Sequence, residues 1–119
     1  MSPDEAVAAV RDALTDDLRR APWRGSPCPV EGHCYVAAEA LYHLVGGATD
    51  GWTPTHLHHE GGPHWYLRHR DGRVLDPTAE QFDTPPDYAR GRGRGFLTRE
   101  PSRRERIVLE RVGAQRAAA

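Results

Sequence analysis

The stretch "EGHCYVAAEALYHLVGG", residues 31–47, decides how the rest of the chain is read. It predicts a buried helix from about Cys34 to Val45. Val36, Leu41, Leu44 and Val45 supply apolar contacts, and Gly46-Gly47 ends the helix. Its start is unusual, because Ser, Thr, Asp or Asn would cap a helix better than the residues found here. Cys34 is therefore either a small buried side chain or a group placed for chemistry.

Upstream, "SPDE" opens another helix. Ser2 suits the cap, Pro3 the first helical position, and Glu5 completes a capping box. Val7, Val10, Leu14 and Leu18 recur at helical spacing and predict a helix ending near Arg20. "APWRGSPCPVEG" is a loop. Downstream, "WTPTHLHHE" and "HWYLRHR" alternate and are rich in β-formers, "RDGR" is a hairpin turn, and "RVLD" is the returning strand. "PTAEQFDTPPDYA" is irregular, "RGRGRGF" reads as a glycine-rich loop, and "FLT" as a short strand. "PSRRERIVLERV" forms a last helix, with Ser102 and Glu105 spaced as a second capping box. The expected architecture is α+β: the cysteine helix packed on a small antiparallel sheet, with flanking N- and C-terminal helices. Residues 1–112 form a single domain of catalytic type, and residues 113–119 a disordered tail.

Composition narrows the function. The chain has 119 residues, with 38% hydrophobic and 28% charged, the balance of a soluble globular protein with one modest core. No apolar run approaches the roughly 20 residues that span a bilayer, and the acidic "MSPDEAVAAV" does not read as a signal peptide, so a cytoplasmic protein without membrane partners is expected. A net charge of −1 argues against nucleic acid as a partner. All 16 basic residues are arginine, which with the many Ala, Gly and Pro residues reads as a GC-rich, bacterial genome. The two cysteines, Cys28 and Cys34, make no disulfide framework.

Three residues follow one another in a chemically meaningful order: Cys34 at a helix start, His64 in a strand and Asp76 at the end of the next strand. A helix N-terminus favours the thiolate through its free N–H groups and dipole. An imidazole can take the thiol proton and return it to a leaving group. A carboxylate on the other ring nitrogen fixes the tautomer.

These residues resemble the papain-like superfamily, and most closely its transglutaminase-like branch. "GHCYVAAEAL" resembles the cysteine helix, "GGPHWYLR" the histidine strand and "GRVLDPT" the strand ending in the acid; the likeness covers roughly residues 28–82. It implies Cys34, His64 and Asp76 as catalytic residues, no cofactor and no metal, and a protein, peptide or amide substrate. It also implies thiol-dependent acyl transfer, or amide or peptide hydrolysis, as in a cysteine protease, amidase or transglutaminase-like enzyme. The chain departs from the papain pattern where a glutamine ahead of the cysteine serves as oxyanion donor, because Cys28 stands there. That leaves the backbone N–H of Cys34 as the expected donor.

Trp65 and Tyr66, beside the histidine, are candidate substrate contacts. Arg92 and Arg94 are candidates for receiving an acidic substrate group, provided the "RGRGRG" loop borders the cleft. The competing class is a non-enzymatic module that binds a metal through His56, His58 and neighbouring His and Cys residues, or an anion through the arginine-rich loop. One local requirement separates the readings. A two-residue turn at Asp71-Gly72 pairs Asp76 with Leu67 and places it on the face opposite His64. A three-residue loop, Arg70-Asp71-Gly72, with Gly72 in a left-handed bulge pairs Asp76 with Tyr66 instead, diagonal to His64 and roughly 5–6 Å away at Cβ. A triad demands the second turn, or another bulge that restores the parity.

Overall fold

A computed structural model describes residues 1–28, 30–96 and 100–118. Among the described residues the fold is α+β, with three α-helices and a four-stranded antiparallel sheet. Helix α1 (Pro3–Ala13) opens with the expected capping box: Ser2 Oγ accepts from the Glu5 N–H at 3.1 Å, and Glu5 Oε1 accepts from the Ser2 N–H at 3.3 Å. Ala6, Val10 and Ala13 are buried at helical spacing. The helix stops at Ala13, well short of Arg20. Leu14 is extended, and residues Asp16–Leu18 form a separate 3-10 turn. Arg111 explains the stop, since its guanidinium donates to Ala13 O at 2.9 Å and Thr15 Oγ1 at 2.6 Å. A C-terminal carbonyl satisfied from outside needs no further helical turn. Leu18 is still buried, so the apolar spacing marked the core correctly but not the helix.

Helix α2 (Cys34–Leu44) is the centre of the molecule. Val36, Ala37, Ala38, Ala40 and Leu41 are all buried, as suits a helix covered on several sides. The left-handed Gly46, φ +97°, ends it. Helix α3 (Arg103–Ala118) packs against α1 and α2 through Val108 and Val112. It continues through residues 113–118, where a disordered tail was expected. Only half of its capping box forms. The Glu105 N–H donates to Ser102 Oγ at 3.2 Å, but the Glu105 carboxylate pairs with His43 instead.

Strands β1 (Trp52–His59) and β2 (Gly62–His69) form a hairpin whose two-residue turn, Glu60-Gly61, has φ of +48° and +85°. Strand β3 (Val74–Leu75) pairs with β2, and β4 (Arg92–Gly93) with β1, giving the order β3-β2-β1-β4. Part of the expected glycine-rich loop is thus an edge strand, with Arg92 opposite His56. The expected strand at "FLT" falls on Leu97 and Thr98, outside the described residues. Alternation along β2 sends Trp65 and Leu67 into the helix-facing core and His64 and Tyr66 to the other face. Among the described residues no helix is long and apolar enough to cross a membrane.

Candidate active site

The hairpin between β2 and β3 has the bulged geometry. Leu67 pairs with Leu75 and Arg68 with Val74. The His69 N–H donates to Arg73 O at 2.8 Å, closing a three-residue loop in which Gly72 has φ +95°. The same register carries Asp76 to the position opposite Tyr66, on the face of His64. There His64 Nε2–H donates to Asp76 Oδ2 at 2.7 Å, with both side chains buried.

Asp76 is held from two further sides. Tyr88 Oη–H donates to the same Oδ2 at 2.7 Å, and the Thr78 N–H donates to Oδ1 at 3.3 Å. Burial, and then the bond to the carboxylate, push the Tyr88 phenol above its ordinary range, so it remains a protonated donor. Asp76 thus accepts hydrogen bonds on both carboxyl oxygens, from His64 and Tyr88 on Oδ2 and from Thr78 on Oδ1. The His64 ring stacks on Tyr66 at 5.9 Å between centroids and meets the edge of Phe82 at 4.7 Å.

Cys34 meets the same ring. Burial alone would lower the His64 pKa. Burial is the largest single effect, but the hydrogen bond to Asp76, the proximity of Cys34 and the charges of both groups together exceed it and push His64 up to about 9. Nε2 is taken by Asp76, which leaves Nδ1 for the sulfur. Nδ1 is buried and has no hydrogen-bond partner among the described residues. Cys34 occupies the first position of α2, after His33. The His33 side chain does not cap the helix but donates from Nε2 to Thr15 O at 2.9 Å. First-turn N–H groups at a helix start have no intrahelical acceptor and face whatever binds there.

Cys34 opens onto a cavity of about 520 Å³, walled by α2, the β1–β2 turn, Gln81, Phe82 and the start of α3. Trp65 lines this cavity. Three other candidates do not. Tyr66 is fully buried and uses its hydroxyl to donate to Tyr88 O at 2.8 Å, so it forms a floor beneath His64. Arg92 and Arg94 lie on or just after β4 at the far edge of the sheet, outside the cavity wall. Of the three residues, Cys34 lines the cavity; His64 and Asp76 are buried and are not part of its wall. The segment covering them is tied to the hairpin tip. Glu60 accepts from the N–H groups of Asp83 and Thr84 at 3.2 and 2.9 Å, and the His59 ring bonds Thr84 O at 2.7 Å.

His56 and His58 do share a face, with ring centroids 5.6 Å apart. Among the described residues, no group of three or more His, Cys, Asp or Glu side chains is placed to hold a metal ion. Both cysteines are free thiols.

Tyr88 and Thr78 are the site residues that sequence reasoning missed. Both lie in the irregular segment after Asp76, where no periodic pattern marks an inward-facing side chain. No protein-family model matches the chain, and no curated protein or solved structure does so.

Proposed function

We propose that Cys34, His64 and Asp76 form a thiol acyl-transfer centre that cleaves or exchanges an amide. One observation carries this reading. A buried histidine is clamped by a carboxylate at 2.7 Å on one nitrogen, and a helix-initiating, cavity-lining cysteine lies near enough to contribute to its raised pKa. The raised His64 pKa supports an imidazolium beside a thiolate in the resting protein.

The Cys34 thiolate attacks the carbonyl carbon of the substrate amide, forming a C–S bond and moving the carbonyl electron pair onto oxygen. The Cys34 N–H at the α2 start stabilises that oxyanion. Gln81, the amide side chain in the wall, is a poorer donor, because its Nε2 already serves Thr78 O and Oγ1, each at 3.1 Å. As the C–N bond breaks, His64 gives its Nδ1 proton to the departing nitrogen. Water or an amine then attacks the thioester while His64 takes its proton, and Cys34 leaves as thiolate. Asp76 keeps the ring oriented, and Tyr88 holds the Asp76 carboxylate in place. The resemblance to transglutaminase-like proteins fits this division of roles. A peptide or amide is the substrate class, no metal takes part in the scheme, and the chemistry suits a reducing, cytoplasmic setting.

The test uses p-nitrophenyl acetate as acyl donor. We expect a burst of nitrophenolate, with one acetyl group found on Cys34 by peptide mass mapping. Cys34→Ala removes both, and His64→Ala slows acylation by about 100-fold or more. Acetylation spread over other residues, or unchanged in the Cys34 variant, contradicts the proposal.

A further inference from the structure

The wall of the Cys34 cavity carries two cations that the acyl-transfer scheme leaves unused. Arg20, from the loop after α1, and Arg104, in the first turn of α3, both line it. No carboxylate among the described residues lies within ion-pair distance of either. Arg24 adds a third positive charge nearby. Burial, followed by the charges of Arg20 and Arg24, holds Arg104 below its ordinary value, which reflects an uncompensated cluster. Three carboxylates share the wall, but two are engaged elsewhere. Glu39 accepts the Ser102 hydroxyl at 2.7 Å, and burial followed by the Glu105 charge raises its pKa; Glu60 is fixed on Asp83 and Thr84. Glu31 is the remaining one. Trp23, 41% exposed, stands in the same wall, packed so closely over Gly32 that a Cβ there would fall 2.6 Å from the Trp23 Cβ.

We infer that Arg20 and Arg104 form a carboxylate subsite, so that the acyl donor is an acidic peptide or amide. Its carboxylate lies between the two guanidiniums and its apolar portion lies on Trp23. Planar guanidinium forks suit a carboxylate, and a cavity wall with low-dielectric sides strengthens the attraction. This takes over the role the sequence had suggested for Arg92 and Arg94. It rests on reading Cys34 as the nucleophile.

Two probes of one thiol test it. Iodoacetamide and iodoacetate both react by thiolate displacement, forming a C–S bond and releasing iodide, and differ in one negative charge. Their rate ratio at Cys34 divides out general changes in thiol reactivity, while Cys28 in the same protein serves as reference. We expect iodoacetate to be favoured at Cys34 relative to Cys28, with the preference shrinking as salt rises. Arg20→Gln with Arg104→Gln should lower the ratio by roughly tenfold, and lysine at both positions should keep much of it. The salt series uses the unaltered protein and so stands even if a variant folds poorly. A ratio at Cys34 equal to that at Cys28, or indifferent to salt and to both arginines, overturns the subsite. The catalytic reading is checked separately: a ratio that follows the arginines while the iodoacetamide rate ignores His64 would keep the subsite and sink the acyl-transfer scheme.

Discussion

His64 Nε2 and Asp76 Oδ2 lie 2.7 Å apart, buried, although a strand, a turn and a second strand separate them along the chain. A three-residue loop with Gly72 in the left-handed region sets the parity that puts both on one face of the sheet. If that contact is what raises His64 to about 9, then Asp76→Asn should bring His64 down toward its ordinary 6.5 or lower, since burial then acts with less opposition. A titration of the ring followed by NMR reads this directly. A His64 that still titrates near 9 in the variant would show that another group holds its proton.

Two glycines on either side of the site should respond differently to alanine. Gly72 has φ +95° and open space where a Cβ would go, so Gly72→Ala costs only backbone strain, about 1 kcal/mol. Gly91 has an ordinary φ of −65°, but a Cβ there would land on the Tyr66 hydroxyl. Gly91→Ala must push aside Tyr66, the floor under His64, at a cost of about 1–3 kcal/mol or more. Urea denaturation should rank Gly91→Ala as the more damaging change, with the larger effect on Cys34 reactivity. The reverse order contradicts the packing described.

Stability should depend on pH through His64. Its folded-state pKa, about 9, exceeds the ordinary 6.5, so the native state binds the proton more tightly than the unfolded chain. That stabilisation is fully present below pH 6.5 and is lost as pH rises through about 9. The shift corresponds to at most about 3 kcal/mol. Denaturation midpoints should fall between neutral and alkaline pH, and His64→Gln should flatten that slope. A wild-type midpoint constant over this window contradicts the ion pair.

A second buried acid lies between α2 and α3. Glu39 is 2% exposed, and burial followed by the nearby Glu105 charge raises its pKa. Its ionised form is disfavoured by the fold, so it costs stability as pH rises above its ordinary range. Glu39→Gln keeps an oxygen to accept from Ser102 and removes the like charge. It should raise the denaturation midpoint near neutral pH and change little in acid. Loss of stability at neutral pH would mean that the carboxylate is needed as such.

The places of Cys34 at a helix start and of His64 on a strand were legible because each rests on local rules, whereas the turn that aligns His64 with Asp76 was left open between two loop lengths and only the structure decides it. Helix α2 and both long strands were legible from periodicity for the same reason. The end of α1 was not, because Arg111, far away in sequence, satisfies the Ala13 carbonyl and bonds the Thr15 hydroxyl. Nor was Tyr88, which reaches Asp76 from an irregular segment without periodicity. "RGRGRG" drew attention as a local concentration of charge, yet the cations beside the cysteine, Arg20 and Arg104, are brought together only by folding.

The most direct test of the central claim is alkylation of the two cysteines by iodoacetamide from about pH 5 to pH 9, resolved by peptide mapping. An imidazolium paired with a thiolate at a helix start should let Cys34 react at the acidic end, where an ordinary thiol is almost wholly protonated. Cys28, in a loop with neither influence, should lag until the pH rises. His64→Ala should abolish the difference, and Asp76→Asn should reduce it less, because the carboxylate acts through the ring. Identical profiles for Cys34 and Cys28, or a Cys34 profile indifferent to His64, would mean that α2 begins at a cysteine for packing alone.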